Sequence, residues 1–244
     1  MVRQFLIAVQ FLTRVPVPRS LAPTEEEIGR AAAYFPLVGI LVGASAALVY
    51  AGLKSFLPPS TCVIAVLIFS ALVTGAFHED GLADALDGFG GGWTKERMLE
   101  IMRDSRVGTF GALGLALLVL AKYTLLSSLD WPHLWRTLIF AHTASRWTAL
   151  PLAWWLPYVR EQGQGKLVAR RIGRRESLIG TATLLLVSLL FNWRERLFAL
   201  AVVAIVVSLC GLYYRRRLGG ITGDCLGAAN QIVEVLVYAV ASEL

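Results

Sequence analysis

Asp80, Asp84 and Asp87 stand four and three residues apart in the segment His78-Glu79-Asp80-Gly81-Leu82-Ala83-Asp84-Ala85-Leu86-Asp87-Gly88. On a helix, at about 100° per residue, that spacing puts three carboxylates in one narrow arc. Like charges so placed repel one another unless a cation sits between them, and hard carboxylate oxygens suit Mg²⁺, with Mn²⁺ as the alternative. Two further aspartates keep polar, glycine-bearing company: Asp104 in Arg103-Asp104-Ser105-Arg106-Val107-Gly108, and Asp224 in Gly219-Gly220-Ile221-Thr222-Gly223-Asp224. Of the six aspartates only Asp130 stands apart. Asp80, Asp84, Asp87, Asp104 and Asp224 are therefore the candidate metal ligands. Two plainer readings stay beside this one: a solvated helix end for the first three, and a helix N-cap for Asp224.

The neighbours of these acids suit phosphate chemistry. Arg103 and Arg106 offer the forked donors that clamp phosphate oxygens, although cations there also anchor a membrane span. Gly90, Gly91 and Gly92 let backbone N–H groups approach a phosphate, and Ser105, Thr222 and Gly223 complete the candidate substrate-binding set. His78 has three open readings: a metal ligand, a proton shuttle, or an interfacial histidine without a catalytic role. Glu234 follows Asn230 by four residues within an apolar run and is expected to face the bundle interior. Arg146, in another apolar run, needs a partner, and Glu234 is one acid available to it.

These groups are set in a chain that is 56% hydrophobic and only 16% charged over 244 residues. Soluble domains carry roughly 25% charged residues. Apolar runs at 31–53, 60–77, 107–129, 132–156, 177–192, 196–214 and 226–242 each approach the roughly 20 residues that cross a bilayer. The expected fold is an all-α, polytopic membrane bundle of about seven transmembrane helices forming one domain over 1–244. An interfacial amphipathic helix is expected at Phe5–Leu12. The acidic loop at 78–106 should end its first helix at Gly88–Gly92, then start a second near Thr94 that runs to Met102 or Arg103.

Lys and Arg between the runs divide 17 to 3, with the acidic segments on the richer side. The positive-inside rule then puts the N-terminus and both acidic segments in the cytoplasm and the C-terminus outside. The net charge of +6 is explained by these loops and by anionic headgroups, so nucleic acid is not an expected partner. Cys62, Cys210 and Cys225 are odd in number and widely spaced, and read as reduced.

Phe11-Leu12-Thr13-Arg14-Val15-Pro16, Phe35-Pro36-Leu37-Val38-Gly39, His78 through Gly88, Ile101 through Gly108 and Gly219 through Ala228 together resemble the cobalamin synthase (adenosylcobinamide-GDP ribazoletransferase) family. The resemblance implies a Mg²⁺-dependent enzyme of the cytoplasmic (inner) membrane of a bacterium or archaeon, its active site facing the cytoplasm. It would join adenosylcobinamide-GDP to α-ribazole, or its 5′-phosphate, and release GMP in the last steps of vitamin B12 assembly. By rough analogy with CDP-alcohol phosphotransferases, Asp87 would accept the hydroxyl proton. His78, Arg103 and Arg106 would complete the catalytic set. Other corrinoid-assembly enzymes and a second copy of the chain are open as partners. A CDP-alcohol-type lipid phosphotransferase is the rival enzyme, and a cation-coupled transporter the rival class. A transporter would favour acids near the bilayer midplane, repeated in both halves of the chain.

Overall fold

The computed structural model describes residues 1–18, 21–160, 165–166 and 172–243. Helices α1 (Val2–Leu12), α2 (Glu25–Ala31), α3 (Phe35–Leu53), α4 (Pro59–Thr74), α5 (Phe77–Gly91) and α6 (Lys95–Ile101) form the first half. The second half consists of α7 (Thr109–Ser127), α8 (Trp131–Trp147), α9 (Ala149–Trp155), α10 (Arg174–Ser188), α11 (Trp193–Leu218) and α12 (Gly223–Glu243). Extended pairing among the described residues is limited to a bridge between Tyr158 and Ile221. Within the glycine-bearing basic stretch 158–176, residues 161–164 and 167–171 lie outside the described residues.

The all-α membrane bundle expected from composition is the observed fold, with fewer full-length spans than seven. Glu25–Leu53 (α2 continuing into α3), α7, α11 and α12 are long and apolar enough to cross a bilayer, and α4 qualifies only together with α5. The bend between α4 and α5 is 88°. It falls where Gly75 and Ala76 both take left-handed backbone angles, φ 66° and 54°. Only Ala76 among the described non-glycine residues has a positive φ, so the chain accepts strain to turn there. The run at 132–156 divides at Thr148 into α8 and α9, and the run at 177–192 holds only part of the 15-residue α10. Hydropathy alone counts apolar length and does not register such breaks.

Close helix contacts rest on small residues, as expected where lipid offers no hydrophobic drive for association. On α3, a Cβ at Gly39 or Gly43 would collide with the carbonyl oxygens of His142 and Leu138 on α8. The N-terminal helix does more than lie at an interface. Ile7, Ala8, Val9 and Leu12 of α1 are buried in a core shared with α2, the start of α3 and Leu150, and Arg3 pairs with Glu27 at 2.7 Å.

Charged and polar side chains within the bundle meet around Glu234, although Glu79 Oε2, His142 Nε2 and Arg146 Nε have no hydrogen-bond partner among the described residues. Lys122 of α7 donates to Gln231 and Glu234 of α12, both at 2.6 Å, and lies 3.8 Å from Glu79 of α5. Tyr238 donates to Glu234 at 3.1 Å, and His142 Nδ1 lies 3.4 Å from the other Glu234 oxygen. Arg146 bonds to the His142 carbonyl at 3.1 Å and to Ser145 Oγ at 3.3 Å. Glu234 thus faces the interior as expected, and its direct cationic partner is Lys122. Cys62, Cys210 and Cys225 are unpaired.

Candidate active site

The turn at Gly75–Ala76 sets α5 across the direction of α4, and a glycine contact then fixes it against α12. A Cβ on Gly81 would lie 3.2 Å from the Gly227 Cα, and one on Gly227 would lie 3.1 Å from the Gly81 Cα. With glycine on both sides the backbones can approach closely. The crossing brings Asp80 and Asp84 of α5 beside Asp224 in the first turn of α12.

Asp224 is freed from capping by its neighbour. Thr222 Oγ1 accepts from the Cys225 N–H at 3.2 Å, so the threonine caps α12 and also donates to Asp224 Oδ2 at 3.3 Å. The Asp224 carboxylate instead pairs with Arg160 at 2.6 Å. Arg160 is delivered by the short bridge: Val159 N–H donates to Ile221 at 3.0 Å, and Ile221 N–H donates to Pro157 at 2.9 Å. Gly220 permits that approach, because a Cβ there would strike the Pro157 carbonyl. Asp80, Asp224, Arg160, Tyr158 and Arg14 line a polar cavity of about 400 Å³. Asp84 is half-buried beside them. Three carboxylates, Asp80, Asp84 and Asp224, thus gather around the Arg160 guanidinium. This is an excess of negative charge that one guanidinium does not cancel.

The other predicted residues are placed differently. Asp87 accepts the Gly108 N–H at 2.7 Å and the Gly111 N–H at 2.9 Å, so its two oxygens cap α7. Asp104 holds Arg106 in a fork, Nε at 3.0 Å from Oδ1 and a terminal nitrogen at 2.6 Å from Oδ2. That hydrogen bonding draws the Asp104 carboxyl down to about 2. Asp87, Asp104, Arg106, Arg97 and Glu100 line a second cavity of about 590 Å³. Arg103 and Ser105 are exposed in the turn between α6 and α7. His78 is buried and borders a small apolar-walled cleft with Arg146 and Asn230. Gly223 lies at the floor of the first cavity and Thr222 is buried beneath it. α5 ends at Gly91 with Gly92 as its C-cap, within the expected Gly88–Gly92 break and at its far end. Cβ positions at Gly88 and Gly92 are filled by Met98 or Met102, and that at Gly90 by the Phe110 ring; one at Gly91 would touch Ile101. This glycine run makes room for α6 and α7.

Among the described residues no three His, Cys, Asp or Glu side chains gather around one metal-sized point. Asp224 is held off by Arg160, and Asp87 by the α7 amides. The donor chemistry nevertheless fits Mg²⁺, which is usually bound through one or two carboxylates, waters and substrate phosphates and not by an all-protein cage. Sequence reading missed Arg14, Arg160, the Gly81–Gly227 contact and the Lys122 network. Lys122 alone carried a signal, as a lysine inside an apolar run.

The sequence profile described as cobalamin-5-phosphate synthase matches residues 4–242. A Vibrio cholerae protein named adenosylcobinamide-GDP ribazoletransferase is 42% identical over 239 residues, covering 97% of this chain and 92% of its own. Proteins of the same name from Ralstonia nicotianae, 44% identical over 96% of this chain and 93% of theirs, and Shewanella baltica, 41% identical over 97% and 92%, are similar throughout. No solved structure matches the chain. With a match spanning nearly every residue, the chain belongs to the cobalamin-5-phosphate synthase family.

Proposed function

We propose that this protein joins adenosylcobinamide-GDP to α-ribazole, or to its 5′-phosphate, and releases GMP. The relatives' shared name supports the substrate. The observation that carries the reading is the convergence of Asp80 and Asp224 on a polar cavity of a helical membrane bundle, with Asp84 next to them on α5. In the reaction the acceptor hydroxyl oxygen bonds to the phosphorus nearer the cobinamide and gives up its proton to water; Asp87, whose oxygens are held by the Gly108 and Gly111 amides, is not placed to take it. The bond from that phosphorus to the bridging oxygen breaks, and GMP leaves with that oxygen.

Mg²⁺, or Mn²⁺ in its place, would be held by Asp80 and Asp84, with Asp224 joining them on release from Arg160. When bound, it would offset the charge that builds on the phosphoryl oxygens and on the leaving group. The chain's own part is placement. Asp87 fixes the start of α7 and with it the wall of the second cavity, and the Gly81–Gly227 crossing holds the acidic residues in register.

The 17-to-3 distribution of Lys and Arg supports a cytoplasmic site on the inner membrane. So does the gathering of Arg14, Arg97, Arg106, Arg160 and Arg217 around the acidic end. Lys54, by contrast, sits over Trp131 beyond the far end of α3.

The test is purified protein with adenosylcobinamide-GDP and α-ribazole, with and without Mg²⁺, following GMP. Mg²⁺-dependent GMP release is expected. A protein that turns over a CDP-alcohol and leaves these substrates untouched would contradict the proposal.

A further inference from the structure

Building on that reading, we propose that the 400 Å³ cavity seats the diphosphate of the nucleotide-activated substrate, with Arg14 as its principal phosphate ligand and Arg160 as the second. The cations at the acidic end are not equally available. Arg106 is forked onto Asp104, Arg97 pairs with Glu100 at 2.7 Å, and Arg217 donates to the carbonyls of Phe89 and Gly92. Arg103 borders neither cavity. Arg14 lines the first cavity, is exposed to it, and has no side-chain hydrogen bond or ion pair among the described residues.

Its position is nonetheless fixed. The Arg14 N–H donates to the Val73 carbonyl at 2.7 Å, tying the segment after α1 to the end of α4. The guanidinium lies across Gly75, where any Cβ would collide with Nε. Gly75 therefore makes the turn that aims α5 and also clears the seat for Arg14. Arg160 approaches from the other side on the Tyr158–Ile221 bridge. Its pairing with Asp224 leaves a carboxylate to be released when phosphate takes the guanidinium. Two forked donors facing two carboxylates across one cavity match a diphosphate that arrives with a divalent cation.

Both the nucleotide substrate and α-ribazole 5′-phosphate carry phosphate, so the test separates them. The full-length protein is placed in nanodiscs of neutral phosphatidylcholine, which removes anionic headgroups as competitors. Binding of a fluorescent GDP is measured by anisotropy, and KM is measured for each substrate. Arg14→Ala is expected to weaken GDP binding by about tenfold or more, because a charge-assisted fork is lost. Arg14→Lys is expected to fall between, since an ammonium keeps the charge and loses the fork. Both variants retain the backbone bond to Val73. Arg30→Ala, on the same N-terminal arm and paired with Glu26, is expected to bind as wild type does. KM for adenosylcobinamide-GDP should rise in Arg14→Ala while KM for unphosphorylated α-ribazole holds.

Absence of GDP binding by the wild type, unchanged binding in Arg14→Ala, or a KM change confined to α-ribazole 5′-phosphate overturns the proposal. So does loss of binding in Arg106→Ala with none in Arg14→Ala. The two readings fail separately. A wild type that binds GDP through Arg14 but releases no GMP from the two substrates sinks the proposed reaction. A wild type that turns over normally while Arg14→Ala binds GDP undiminished sinks the diphosphate seat.

Discussion

Asp84 and Asp87 lie one turn apart on α5, yet their surroundings assign them different work. Asp87 spends its oxygens on the Gly108 and Gly111 amides, while Asp84 is half-buried beside the carboxylates of Asp80 and Asp224. Asp87→Ala is expected to destabilise the protein by about 1–3 kcal/mol through two orphaned amides. Asp84→Ala is expected to leave stability unchanged or higher, because it removes repulsion. Thermal unfolding of the two variants in one detergent measures the difference, and equal losses would contradict the division of roles. The sequence spacing placed the three aspartates on one helical face. It did not distinguish Asp87, whose partners are 21 and 24 residues away across a turn. Asp224 posed the same difficulty: only the structure shows Thr222 taking the cap and leaving the carboxylate to Arg160.

At the scale of helices, the site depends on how closely α5 and α12 cross. Gly227→Val would drive side-chain atoms into Gly81 and the His78 carbonyl, which lies only 3.1 Å from the position of a Cβ. Turnover is expected to collapse while the protein stays monodisperse on gel filtration; wild-type turnover would show that the crossing does not set the site. The Lys122–Glu234 pair locks α7 to α12 inside the bundle. Lys122→Met strands a buried carboxylate and is expected to cost about 3–5 kcal/mol. Adding Glu234→Gln should recover part of that loss, and strictly additive losses in thermal unfolding would deny the coupling. The helix after the acidic motif was legible in advance: Thr94 caps α6 by accepting the Arg97 N–H, and the helix covers Lys95–Ile101. The end of α5 within Gly88–Gly92 was legible too, but not its exact point, because the glycines there serve contacts with Met98, Met102 and Phe110. Fewer helices than apolar runs reach full span length for a related reason. Left-handed residues at 75 and 76 and the break at Thr148 are backbone events that apolar composition does not record.

Across the whole molecule, segments far apart in sequence meet at one end: Arg14 after α1, the acidic face of α5, Arg160 after α9 and Asp224 of α12. That assembly follows from charge as well as packing, since the cation-rich loops and the acidic segments share an end. Phe56→Cys and Trp93→Cys, both at strongly exposed positions, report its orientation. An impermeant thiol reagent applied to intact cells is expected to label the first and spare the second, against a low background from buried Cys62 and Cys225. Labelling at position 93 would put the site on the other face. The central claim, that the α5–α12 carboxylates are the reacting centre, is tested most directly by the GMP-release rate of Asp84→Asn. The measurement uses saturating Mg²⁺ and both substrates, per mole of folded protein. The account predicts a fall on the order of a hundredfold or more, as for loss of one group that stabilises transition-state charge. A near-wild-type rate in a correctly folded Asp84→Asn protein would contradict it.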